Sequence, residues 1–249
     1  MELLKSTLIF ATLTVIPFTQ ASAESFINKV SFDYRHDYRA RDRTHYDKLT
    51  FAAQLPENFS FAVETKFKTG GANTKDKYYN DTVLNAVEMT LAKKYQFGNL
   101  SISPLFQPEF NSTRTEWKFG VSPWYKINDS WSIGGLYRIE LTDYAHDDVC
   151  NTVGTVCTTN KHRTVNRVDG YLRYRFNDLV TTYKIIYMHG DEDLFANKKT
   201  NYEQELQFNY NMGEQKEWSP YISFGDISRS AKSSERQCRF RFGVAYVFK

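Results

Sequence analysis

From Glu24 onward the chain alternates apolar and polar side chains with a period of two. Val30, Phe32 and Tyr34 share one face of an extended segment, and Ser31, Asp33 and Arg35 share the other. Phe240, Phe242, Val244, Tyr246 and Phe248 repeat the pattern at the far end, against Arg239 and Arg241. A period of two sends successive side chains to opposite faces of a strand, which excludes an amphipathic helix over these stretches. Twelve such segments follow, near 30–35, 48–55, 59–68, 87–94, 100–110, 114–127, 131–141, 169–176, 183–187, 205–210, 218–224 and 239–248. Twelve is even, as an antiparallel barrel of the bacterial outer membrane requires.

Composition decides which environment the apolar face meets. Aromatic residues make up 16% of the 249, yet mean hydropathy is only −0.57. An interleaved apolar face hides in such an average. No stretch after the N-terminus approaches the ~20 apolar residues of a transmembrane helix. A net charge of +3 is too mild to announce a nucleic-acid partner, and three cysteines are too few for a disulfide scaffold. The competing fold is a soluble β-sandwich or lipocalin-like barrel with its aromatic face inward. Twelve aromatic-rich strands are many for one small soluble core. Trp124, Tyr125, Trp131, Tyr210 and Trp218 also sit near strand ends, as interfacial girdles do.

The connections alternate as well. Pro56-Glu57-Asn58, Gly98-Asn99, Asn128-Asp129-Ser130 and Asn177-Asp178 are tight turns. Between them lie longer polar segments near 37–46, 69–82, 142–164, 190–201 and 226–237. Short turns at one end and long loops at the other are the outer-membrane layout. The short joint at Ser112-Thr113 and the longer one at 211–217 depart from it. Before the strands, Lys5, the apolar stretch Leu8 to Phe18 and Ala21-Ser22-Ala23 form a signal peptide over 1–23. Residues 24–249 are then one transmembrane β-barrel domain, closing on Tyr246-Val247-Phe248 with Lys249 beyond.

Val30 to His36 (VSFDYRH), Glu235 to Val244 (ERQCRFRFGV) and Trp218-Ser219-Pro220-Tyr221 resemble the oligogalacturonate-specific monomeric porins, a family that includes a sialic-acid branch. The resemblance runs along essentially the whole mature chain. It implies an all-β, twelve-stranded antiparallel barrel in the bacterial outer membrane, acting as a monomer. It further implies a narrow pore lined by basic residues and uptake of acidic oligosaccharides, without cofactor or catalysis. The cysteine pair described below and the long joint between the seventh and eighth strands are not part of the family's pattern.

With the aromatic face toward lipid, the polar face lines the pore. Its basic members are Arg35, Lys48, Lys66, Lys68, Lys94, Arg114, Lys118, Lys126, Arg138, Arg167, Arg173, Arg175, Lys184, Arg239 and Arg241. Its acidic members are Asp33, Glu64, Glu88, Glu109, Glu116, Glu140, Asp169, Glu203 and Glu205. The excess is about six positive charges, which a confined channel focuses on entering anions. Arginine suits the task because its planar fork binds a carboxylate through two hydrogen bonds. Arg173, Arg175, Arg239 and Arg241 form the densest cluster, and Tyr221 is a candidate for stacking on sugar rings. The alternative is that interior arginine pairs with interior glutamate, and that Tyr221 merely fills space.

Other chemistry finds little support. His36, His45, His146, His162 and His189 are scattered without metal-binding spacing, and no metal or cofactor is expected. Cys150 and Cys157 lie in the longest loop, where export favours a small disulfide. Cys238 falls on the lipid-facing register as a small apolar residue. Asp147-Asp148 and Asp191-Glu192-Asp193 are loop charges, solvated or bridged through divalent ions to lipopolysaccharide. The functional alternatives are a porin for another acidic sugar, such as sialic acid or alginate oligosaccharide, and a barrel enzyme such as a phospholipase. The enzyme needs a serine beside a strand histidine, and only His189 is roughly placed for that.

Overall fold

The computed structural model describes residues 29–69, 82–145, 149–150, 157–158 and 162–248. The signal segment 1–23 with its cleavage site therefore lies outside the described residues, as do 70–81 in the joint between the third and fourth strands. Twelve antiparallel strands form the barrel. They are β1 (Lys29–Arg39), β2 (Thr44–Gln54), β3 (Phe59–Thr69) and β4, which is Val83–Lys93 continued in the same register by Tyr95–Phe97. Next come β5 (Leu100–Phe110), β6 (Arg114–Lys126), β7 (Trp131–Tyr144) and β8 (His162–Phe176). The last four are β9 (Leu179–Gly190), β10 (Thr200–Tyr210), β11 (Trp218–Ser228) and β12 (Arg236–Phe248).

Each strand pairs with its sequence neighbour, and β1 pairs with β12 from Val30 opposite Phe248 to Arg39 opposite Arg239. Among the described residues, closure leaves none of the twelve barrel strands as an edge strand, which is the condition for crossing hydrocarbon with strands. The faces divide as the alternation demands. Phe51, Phe119, Ile133, Tyr187, Ile222 and Phe242 stand exposed on the outside, whereas Lys118, Asp169 and Glu205 are buried inside. At the turn end, Trp131 packs on Tyr174, and Trp218 packs on Tyr246 at 4.5 Å, giving an outward aromatic girdle.

The turns have local causes. Gly98 (φ +57°) and Asn177 (φ +51°) take the left-handed conformation that two-residue hairpins need. Asn128 accepts the amides of Ser130 and Trp131 through its side chain, and Asn111 does the same for Thr113 and Arg114.

Several strands run further toward the loop end than the alternation indicates. The long polar loop expected at 37–46 is a four-residue turn, and β8 begins at His162 rather than near 169. The reason is that polar groups on the outward face satisfy one another there. Asn166 of β8 accepts a 2.9 Å hydrogen bond from Tyr137. On β1–β3, Asp47 accepts from Tyr34 and bonds His36 Nδ1, both at 2.8 Å, and His36 Nε2 lies 3.0 Å from His45 Nδ1. His36 and His45 are thus not scattered: strand pairing brings them together, buried beneath Phe242 and Tyr38. Between β7 and β8, Val149–Cys150 pairs with Cys157–Thr158, and Cys150 stands directly opposite Cys157. The side chains of both cysteines, and Asp147-Asp148, lie outside the described residues.

Candidate functional site

Every basic residue assigned above to the pore and described on a strand falls on the inward register. Most of them meet a carboxylate. Strand register aligns Glu64, Glu88, Glu109 and Glu116 side by side across β3, β4, β5 and β6. Like charges directly opposite one another repel, so this row requires cations. Lys66 supplies one, with Nζ 2.8 Å from Glu109, 3.0 Å from Glu88 and 3.3 Å from Glu64. Lys118 supplies another, 2.6 Å from both Glu88 and Glu109. Lys48 bonds Glu64 from the β2 side, while Arg114 and Arg163 reach Glu116.

The rest of the wall is paired in the same way. Arg138 holds Glu140 and donates to Gln107. Asp169, almost wholly buried, is shared by Arg167 at 2.7 Å, Lys184 at 2.9 Å and the Tyr171 hydroxyl at 2.9 Å. Glu205 accepts from Arg239 at 2.6 Å and from Arg241. Arg241 and Arg35 both lie 3.0 Å from Asp37. Asp37, Arg39 and Arg163 also belong to this inward face, in strand ends that the alternation does not reach. The first two stand beyond the stretch read as β1, and Arg163 precedes the stretch read as β8.

The four-arginine cluster consequently divides into two pairs. Arg239 and Arg241 are locked by Glu205 and Asp37. Arg173 and Arg175 stand near the turn end of β8, and among the described residues neither has a carboxylate within ion-pair distance. Arg173 instead lies over the indole of Trp124 at 4.3 Å. Trp124 is therefore no interfacial girdle residue. It points inward and lies flat against Gly134, where an added Cβ would approach the indole to 2.5 Å. Tyr171 stacks beside it at 5.3 Å.

Trp124, Arg173 and Arg175 border two lumen cavities. One, of about 860 Å³, opens at the turn end and is also lined by Lys94, Gln96 and Ser101. The other, of about 440 Å³, lies mid-barrel, with Arg35, Lys184 and Arg241 in its wall. Lys68 and Arg39 face inward near the loop end, with Arg39 over the ring of Tyr46.

Tyr221 also faces inward but is only 8% exposed. Its ring covers Gly243, where an added Cβ would meet it at 2.5 Å, and its hydroxyl donates to Asp33 at 3.1 Å. It spans β11, β12 and β1 and fastens the barrel seam. At the loop end the seam is clasped again. Arg229 bonds Asp42 and Glu235, Arg41 bonds Glu235, and Gln237 bonds Asp42. Burial alone would raise the Asp42 carboxyl, but the hydrogen bonds from Arg229 and Gln237 hold it below its ordinary value. Arg229 does the same for Glu235.

Comparison with known proteins agrees with this architecture. The family model described as "Oligogalacturonate-specific porin protein (KdgM)" matches residues 22–248. The Salmonella typhimurium protein YiiY is 30% identical over 224 residues, covering 88% of this chain and 90% of the relative. The oligogalacturonate-specific porin KdgM of Dickeya dadantii is 28% identical over 234 residues, covering 88% and 92%. Among solved structures, the NanC porin superposes with a TM-score of 0.70 at 17% identity, covering 86% of this chain and 98% of NanC.

Proposed function

The chain belongs to the KdgM family of oligogalacturonate-specific porins, channels of the outer membrane rather than enzymes, and on that premise we propose that its pore admits acidic oligosaccharides of the oligogalacturonate class. The observation that carries this reading is the pair Arg173 and Arg175, whose charges no carboxylate of the described wall neutralises. The ion-paired majority builds and stiffens the wall. The unpaired guanidinia, with Lys94 beside them, give the lumen its pull on anions. A carboxylate passing the turn-end cavity finds two forks two residues apart on one face of β8. Each charge-assisted hydrogen bond is worth roughly 1.5–3 kcal/mol before competition from lumen water. Several moderate contacts of this kind let an anion enter and also leave, as conduction requires.

The same proposal includes maturation before Glu24, a monomeric barrel, and lipid with lipopolysaccharide around the outward belt. It also includes a Cys150–Cys157 disulfide, supported by their facing positions in the ribbon. Channel block in planar bilayers tests the central reading. Arg173→Gln should weaken block by oligogalacturonate and lower anion preference, with neutral-sugar passage steady and the barrel intact. Equal block of the parent channel by acidic and neutral oligosaccharides would overturn it.

A further inference from the structure

The turn-end arginines raise a physical problem. A guanidinium with no carboxylate partner has a long, mobile side chain, and mobility weakens directional recognition. Arg173 is nevertheless half-buried, and among the described residues its Nε–H donates to no acceptor in the wall. What holds it is the indole of Trp124, through a cation–π contact at 4.3 Å. This contact fixes the guanidinium without cancelling its charge, which a glutamate in the same place would do.

The platform is built into the sequence of three adjacent strands. Trp124 on β6, Gly134 on β7 and Tyr171 on β8 are consecutive register partners across the sheet. The indole crosses β7 only because residue 134 lacks a side chain. Tyr171, anchored through its hydroxyl to buried Asp169, stacks at the far end and limits sliding of the ring. A glycine covered by a cross-strand aromatic is a recognised device for pinning register. Here the same device carries a functional cation on its ring.

We propose that Trp124 is a positioning residue for acidic-sugar selectivity, holding Arg173 as a fixed but unneutralised fork between the turn-end and mid-barrel cavities. This rests on the reading above that the pore takes acidic oligosaccharides, and it deepens that reading by one residue. Its distinguishing consequence is coupling. Trp124 acts through Arg173, so removing the indole should do nothing further once the guanidinium is gone.

The test is a double-mutant cycle with Trp124→Leu and Arg173→Gln, read by trigalacturonate block and by reversal potential in a KCl gradient at low salt. Trp124→Leu should weaken block about three- to tenfold. Arg173→Gln should do at least as much, and the double variant should match Arg173→Gln alone. Trp124→Phe keeps a ring over Gly134 and should restore part of the block. It also serves as the second variant if Trp124→Leu fails to show heat-modifiable gel mobility. Block unchanged in a folded Trp124→Leu barrel, or in Trp124→Phe if the leucine variant does not fold, would overturn the proposal. So would additive losses in the double variant, because they would mean that the indole meets the sugar itself. A parent channel indifferent to acidic sugar would instead remove the underlying reading, so the two failures are distinguishable.

Discussion

Neutralising Glu205 should strengthen anion selectivity while weakening the barrel. Glu205 lies between Arg239 and Arg241, and its side chain is 7% exposed. In Glu205→Gln the shape is kept and one negative charge is lost. Removing one partner of a buried ion pair costs about 3–5 kcal/mol when the other is stranded. Here neither arginine is stranded, because Arg241 keeps Asp37 at 3.0 Å and Arg239 keeps Glu203 at 3.6 Å. A loss of about 1–3 kcal/mol is the reasonable expectation.

The electrostatic gain follows from Coulomb's law. An anion about 8 Å away, in an effective dielectric between about 20 and 80, is stabilised by about 0.5–2 kcal/mol when that negative charge disappears. This corresponds to roughly 2- to 30-fold higher anion occupancy at low salt. At 1 M salt the Debye length is about 3 Å and the gain should fade. Reversal potentials at about 0.1 M and 1 M KCl measure the effect, and the temperature of heat-modified gel mobility reports the stability. A folded Glu205→Gln barrel with unchanged low-salt selectivity would falsify the charge argument. A fall in selectivity would show that Glu205 orients the arginines more than it cancels them.

Three further outcomes are expected. Gly243→Ala drives a methyl group into the Tyr34 carbonyl and the Tyr221 ring, so the seam should lose about 1–3 kcal/mol; Tyr221→Phe, which loses only the bond to Asp33, should cost about 1 kcal/mol. An unchanged heat-modification temperature in Gly243→Ala would remove the seam role. Exported protein should show one free thiol after non-reducing denaturation and three after reduction; three in both states would exclude the Cys150–Cys157 bond. The loop-end clasp depends on pH with a definite sign: Asp42 and Glu235 have folded pKa values below their ordinary ones, so the clasp's stabilisation is complete above about pH 4–5 and is lost as pH falls through the depressed values. Arg229→Ala should shift its loosening to higher pH, as read by hydrogen exchange at residues 40–43 and 229–235, and an unmoved onset would refute the assignment.

Strand count, barrel closure and facing were legible in the sequence, because a period of two is a local property that water and lipid read directly. Val30, Phe32 and Tyr34 face outward whatever the neighbouring strands do. The tight turns were legible for the same reason, since Gly98 and Asn177 carry their conformational preference with them. Strand ends at the loop side were not, because outward polar residues there find partners only across the sheet, as His36 does in Asp47 and His45. Charge pairing in the lumen was hidden in the same way. Composition supplies an excess of cations, but only register sets Glu64, Glu88, Glu109 and Glu116 abreast and hands Lys66 and Lys118 to them. The alternation also leaves Arg173 and Arg239 equivalent, both inward on polar strands. Tertiary structure separates them, giving Arg239 a glutamate and Arg173 an indole, because what lies across a barrel from a given side chain is fixed by shear and closure rather than by its neighbours in the chain.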